Sequence, residues 1–123
     1  MKDNLMVINK YKDLIERYSN YSLIYPKKYY VLKDKLESIL FDFLKELYIV
    51  NSISNREIRL SRKEELIGKL KYLNYLFTRI NRLNILSDKQ YKVIYMDIED
   101  VYKYLIGWLK CDRVNRWVFK FFR

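Results

Sequence analysis

Apolar residues recur along this chain at the spacing of helices rather than strands. Ile8, Tyr11, Leu14, Ile15 and Tyr18 fall on one side of a first helix. The pattern breaks between residues 20 and 28, where Pro26 restricts Tyr25 to extended geometry. It resumes with Leu32, Leu36, Ile39, Leu40, Phe43, Leu44 and Leu47, then stops at the polar run Asn51-Ser52-Ile53-Ser54-Asn55. A third stripe holds Leu66, Leu70, Leu73, Phe77 and Ile80. A fourth holds Tyr91, Ile94, Tyr95, Ile98, Val101, Tyr102, Leu105 and Leu109. Ser61-Arg62-Lys63-Glu64 and Ser87-Asp88-Lys89-Gln90 have the spacing of capping boxes, in which the serine oxygen and the residue three positions on satisfy each other's amides. They predict the starts of helices three and four. Four amphipathic helices of roughly 15 to 24 residues, joined by short connections and with no strand signal, predict an all-α, up-down antiparallel four-helix bundle.

Composition narrows the chemistry. Half of the 123 residues are hydrophobic, enough for one domain-sized core. Charges interrupt every apolar run before the roughly 18 residues that a membrane span needs. The cluster Leu5 to Ile8 is too short for a secretory core, so a cytoplasmic location is expected. There is no histidine, which removes Ser-His-Asp and Cys-His catalysis and any histidine metal site. Two isolated glycines, Gly68 and Gly107, cannot form a phosphate-cradling loop, and the single Cys111 can build neither a zinc knuckle nor an internal disulfide. Asp97, Glu99 and Asp100 read as a salt-paired helix face. No catalytic residue, metal or cofactor is therefore expected. Gly107, which costs about 1 kcal/mol against Ala within a helix, predicts the close approach of another helix or subunit.

The net charge of +10 is uneven. Residues 53 to 86 carry +5 and residues 112 to 123 carry +3, whereas residues 87 to 111 are neutral. On the third helix, Lys71, Tyr75, Arg79 and Arg82 project opposite the apolar stripe, with Tyr72 at its margin. Arginines interleaved with tyrosines suit a phosphate backbone and unstacked bases. A solvated face written in AT-rich codons would look similar. Arg56, Arg59, Arg62 and Lys63 form a second basic cluster at the helix start, where the macrodipole favours acids. The last residues divide the chain into a bundle at 1–111 and a basic aromatic C-terminal extension at 112–123 that can continue helix four. There Arg113, Arg116, Lys120 and Arg123 accompany Val114, Trp117, Val118, Phe121 and Phe122 at helical spacing. Such an extension can pack on a protein partner or subunit, touch nucleic acid, or lie on an anionic membrane surface; a protein partner best covers its apolar side. Trp108, Trp117, Phe121 and Phe122 are the interface candidates.

Three strings resemble a known family. Tyr25-Pro26-Lys27-Lys28-Tyr29 with Leu32-Lys33-Asp34-Lys35-Leu36-Glu37 looks like its loop and second-helix entry. Ser87-Asp88-Lys89-Gln90-Tyr91 looks like its fourth-helix start, and Gly107-Trp108-Leu109-Lys110 like the closing signature of that helix. In this order they resemble the Avd family, the accessory variability proteins of diversity-generating retroelements, related to four-helix proteins encoded in 23S ribosomal-RNA intervening sequences. Lys33 and Lys35 stand where that family usually has Gly and Arg.

The resemblance, over about residues 24 to 110, implies a basic homopentamer that binds a separate reverse transcriptase and template RNA or DNA. It implies no active site; no membrane partner is expected, because charges interrupt every apolar run. The expected function is a non-catalytic accessory protein of mutagenic reverse transcription. The alternative is a protein-interaction bundle of the intervening-sequence type that engages an acidic partner.

Overall fold

The computed structural model describes residues 5–121, with side chains as far as Arg113. Four α-helices follow in order: α1 Met6–Asn20, α2 Tyr30–Asn51, α3 Arg56–Arg82 and α4 Asp88–Phe121, with a short 3-10 turn at Lys27–Tyr29 leading into α2. Each packs on its sequence neighbours, and α4 closes the ring against α1. The alternating direction can be read from cross-contacts. The Tyr11 hydroxyl donates to the Leu40 carbonyl and Tyr18 to Glu37, so α1 and α2 run antiparallel. Thr78 meets Tyr91 at one end of the α3/α4 pair, and Lys63 meets Asp112 at the other. The all-α four-helix bundle is thus the observed fold.

Its core is built largely from the stripes read from the sequence. Ile8, Tyr11, Leu14, Ile15 and Tyr18 are buried from α1, as are Leu36, Leu40, Phe43 and Leu47 from α2. The Tyr11 ring lies 4.7 Å from that of Phe43, and the Tyr18 ring 5.7 Å from that of Phe77, which ties the middle and the C-terminal end of α1 to α2 and α3. Burial pushes both phenols well above the ordinary tyrosine range.

Two starts were predicted and one is displaced. At α4 the Ser87 box forms in full: the Gln90 amide donates to Ser87 Oγ at 3.1 Å, and the Ser87 amide to Gln90 Oε1 at 3.2 Å. The helix before it closes through Asn84, at φ 61°, with the Ile85 and Leu86 amides both donating to the Ile80 carbonyl. Asparagine tolerates this left-handed geometry better than most residues. At α3, however, the cap is Asn55, whose side chain accepts from the Ile58 amide at 2.9 Å. Ser61 and Glu64 lie inside the helix and form no box. The extra turn exists because it buries Leu60.

Helix α4 is 34 residues, about 51 Å by the α-helical rise. It runs without a break from the bundle into the C-terminal extension. Gly107 does not mark a close approach within the chain: a Cβ built there meets nothing within 4 Å.

Candidate nucleic-acid interface

Helix α3 places its basic residues in two environments. Near its start, the cations are consumed by the bundle. Lys63 is only 1% exposed. Its Nζ sits 2.8 Å from Asp112, donates to the Trp108 carbonyl at 2.9 Å and lies 4.1 Å from the Trp108 ring centroid. Arg59 donates to both Asp112 oxygens, at 2.9 and 2.7 Å, and to the Ile53 carbonyl at 2.8 Å. This bidentate fork satisfies an acid that burial would otherwise penalise. Burial works to raise the Asp112 pKa, but the hydrogen bonds and charges of Arg59 and Lys63 outweigh it and hold the carboxyl below its ordinary range. For Lys63, burial prevails over the attraction of Asp112 and lowers the ammonium pKa.

These contacts correct the sequence reading. Lys63 has no surface to offer a phosphate, and Arg59 is engaged with Asp112. Arg62 bridges to Glu46 on α2 at 2.9 Å, joined there by Lys69 at 3.4 Å. The Arg62 hydrogen bond is the main reason that the Glu46 carboxyl sits below its ordinary range. Arg56 is half-buried in the first turn, and exposed Arg113 stands 3.8 Å from Glu64. The charge that looked unfavourable for the helix dipole is offset by acids that the sequence keeps on α2 and α4. Trp108 is half-buried with its ring under Lys63, and so serves the bundle itself. Arg116, Trp117, Phe121 and Phe122 lie outside the residues whose side chains are described.

The second half of α3 differs. Lys71, Tyr75 and Arg82 are exposed and Arg79 is half-exposed, on one continuous outer face with exposed Tyr72. Among the described residues, none of the charges of Lys71, Arg79 and Arg82 is held in an ion pair. This is the surface the helical projection predicted.

The structure adds two residues that the sequence reading had put in the core. Tyr95 and Tyr102 are each 41% exposed. They line a groove of about 190 Å³ between α3 and α4, with Leu70, Lys71, Asn74, Ile98 and Glu99. Tyr91, also expected in the core, is half-buried; its hydroxyl is 2.8 Å from Thr78 Oγ1 and its ring 6.2 Å from that of Tyr95. A hydrogen bond to Glu99 raises the Tyr95 pKa. The apolar stripe of α4 is in fact narrow: Ile94, Ile98, Val101, Leu105 and Leu109 fill it. The signal available in the sequence was that tyrosine, unlike isoleucine, can leave its ring at a rim with the hydroxyl in water.

Among the described residues no group of three acidic or cysteine side chains is placed to hold a metal, and no helix is long and apolar enough to cross a membrane. Asp97 is paired with Arg17 at 3.0 Å, and Cys111 is an exposed free thiol. No protein-family profile, no curated protein and no solved structure matches this chain.

Proposed function

We propose that this protein is a non-catalytic, nucleic-acid-binding accessory subunit of the Avd type, which holds a separate reverse transcriptase and its template RNA or DNA. The observation that carries the reading is the outer face of α3, where Lys71, Arg79 and Arg82 make no ion pair with a described residue and stand beside exposed Tyr72 and Tyr75. Unpaired guanidinium groups release counterions when they meet phosphates, and neighbouring rings stack on bases of any sequence. In this reading the polymerase chemistry belongs to the separate partner chain. Location in the cytoplasm goes with that role.

Self-association as a homopentamer belongs to the same reading. Exposed Val31 and Phe41 on α2 and Met96 on α4 are apolar surface that neighbouring subunits would cover. Light scattering on the purified protein measures the assembly directly, and a monomer at micromolar concentration removes the pentamer from the proposal.

The binding claim is tested by filter binding of single-stranded RNA and DNA at two salt concentrations. Tight binding at low salt that weakens steeply at high salt supports it. Arg79→Glu combined with Arg82→Glu should weaken binding at least tenfold and reduce the salt slope by about one per lost phosphate contact. Binding unchanged by the double substitution at either salt concentration overturns the assigned surface. An acidic protein that binds through the same arginines while nucleic acid does not would favour the interaction-bundle alternative.

A further inference from the structure

We propose that a single-stranded nucleic acid runs along the groove between α3 and α4, with the outer lysines of α4 as the lip opposite the α3 face. This rests on the nucleic-acid reading above and specifies the path of the strand. Up to Arg113 the acids and cations of α4 are equal in number, but the structure sorts them to different sides. Asp97 pairs with Arg17 of α1, and Asp112 with Arg59 and Lys63 of α3. Lys92, Lys103 and Lys110 stay outside: all three are exposed, and none makes an ion pair with a described residue. At 100° per residue they fall within about 20° of one line down the helix. Glu99 and Asp100, also exposed, temper that line without cancelling it.

The line lies about 80° round α4 from Tyr95 and Tyr102, which stand half-exposed in the groove of about 190 Å³ shared with Lys71. An aromatic seam thus separates Lys71 and Arg82 on α3 from the lysines of α4. A basic channel for the backbone, with rings for the bases, holds single strands irrespective of sequence. The polar lining of the groove is mixed: Lys71, Asn74, two tyrosine hydroxyls, and Glu99, which Tyr95 already engages. It makes no choice among bases, and affinity comes from stacking and phosphate contacts. The other flank of α3 has no matching lip. There Arg62 and Lys69 converge on Glu46, and α2 carries one more acid than cations.

The test titrates a short single-stranded RNA of mixed sequence with the full-length protein across a salt series, read by fluorescence polarisation. Lys92→Gln with Lys103→Gln should weaken binding about fivefold at low salt and lower the salt slope by about 1.4, at roughly 0.7 per phosphate contact on a single strand. Lys35→Gln with Lys45→Gln removes the same charge from exposed positions on α2. That pair should change affinity by less than about twofold, because exposed charges away from the strand are screened. Tyr102→Ala should weaken binding about fivefold or more through lost stacking and leave the salt slope unchanged. A cooperative thermal melt of each variant establishes that it is folded. Unchanged binding in the α4 pair, an equal loss in the α2 pair, or unchanged affinity in Tyr102→Ala overturns the path. If the path fails while Arg79→Glu with Arg82→Glu still abolishes strong, salt-dependent binding, the nucleic-acid reading stands without it. Absence of binding to RNA and DNA strands at low salt overturns both.

Discussion

The first half of α3 carries Arg59, Arg62 and Lys63, and the second half Lys71, Arg79 and Arg82. Both sets look alike in sequence, yet acids on neighbouring helices reach only the first. Asp112, late in α4, takes Arg59 and Lys63, and Glu46 of α2 takes Arg62. The second set makes no ion pair with a described residue, although Glu99 of α4 lines the groove beside Lys71. Basic charge is therefore structural or available according to what lies across the helix interface, and local density does not distinguish the two.

The sharpest way to break this comparison is at Asp112. Asp112→Ala would leave Lys63 buried without its counter-ion, a loss of about 3–5 kcal/mol. A thermal melt should show the transition falling by roughly 10 °C or more. A drop of a degree or two would mean that the paired end is no more structural than the free one. Arg79→Glu with Arg82→Glu should do the converse, changing stability by about 0.5 kcal/mol or less while nucleic-acid affinity collapses.

Acid should separate the two halves as well. The native pKa values of Asp112 and Glu46 lie below their ordinary ones, so the unfolded chain takes up protons at higher pH than the native chain does. Their contribution to stability is full above about pH 4–5 and is lost as pH falls through the lowered native values. Denaturant titrations between pH 6 and 2 should show that decline, and Asp112→Asn should make it shallower. An identical pH profile for the variant would remove Asp112 as a source of stability.

The smallest expected effect lies in the turn after α3. Asn84→Gly should be neutral or stabilising by a few tenths of a kcal/mol, and Asn84→Ala destabilising by about 1 kcal/mol, because only glycine adopts positive φ at no steric cost. Urea midpoints resolve the difference.

Much of the fold was legible because a bundle is written in local periodicity. The stripes on α1 and α3 are buried residue for residue, and the Ser87 box closes as its spacing requires. The α3 start was not, because Asn55 and Ser61 both have the chemistry of caps, and the choice between them depends on whether Leu60 finds a core to enter. Lys63 was misread for a related reason. Its only clue was an aspartate 49 residues away, and no periodicity links the two. The outer face of α3 could be read because an exposed helix face needs no partner to define it. Tyr95 and Tyr102 could not, since their position depends on how widely α3 and α4 part around Asn74.

The length of α4 has a mechanical consequence. Asp112 is level with Arg59, three residues inside the start of α3, so the final six or so residues of α4 project about 9 Å past the end of that helix. A slack linker would only raise the local concentration of whatever it holds. A helix continuous with the bundle acts as a strut instead and transmits angle as well as distance. Inserting one residue ahead of it would rotate the helix beyond by about 100°, so the aim of the strut is set by the register of the salt-bridged turn at its base.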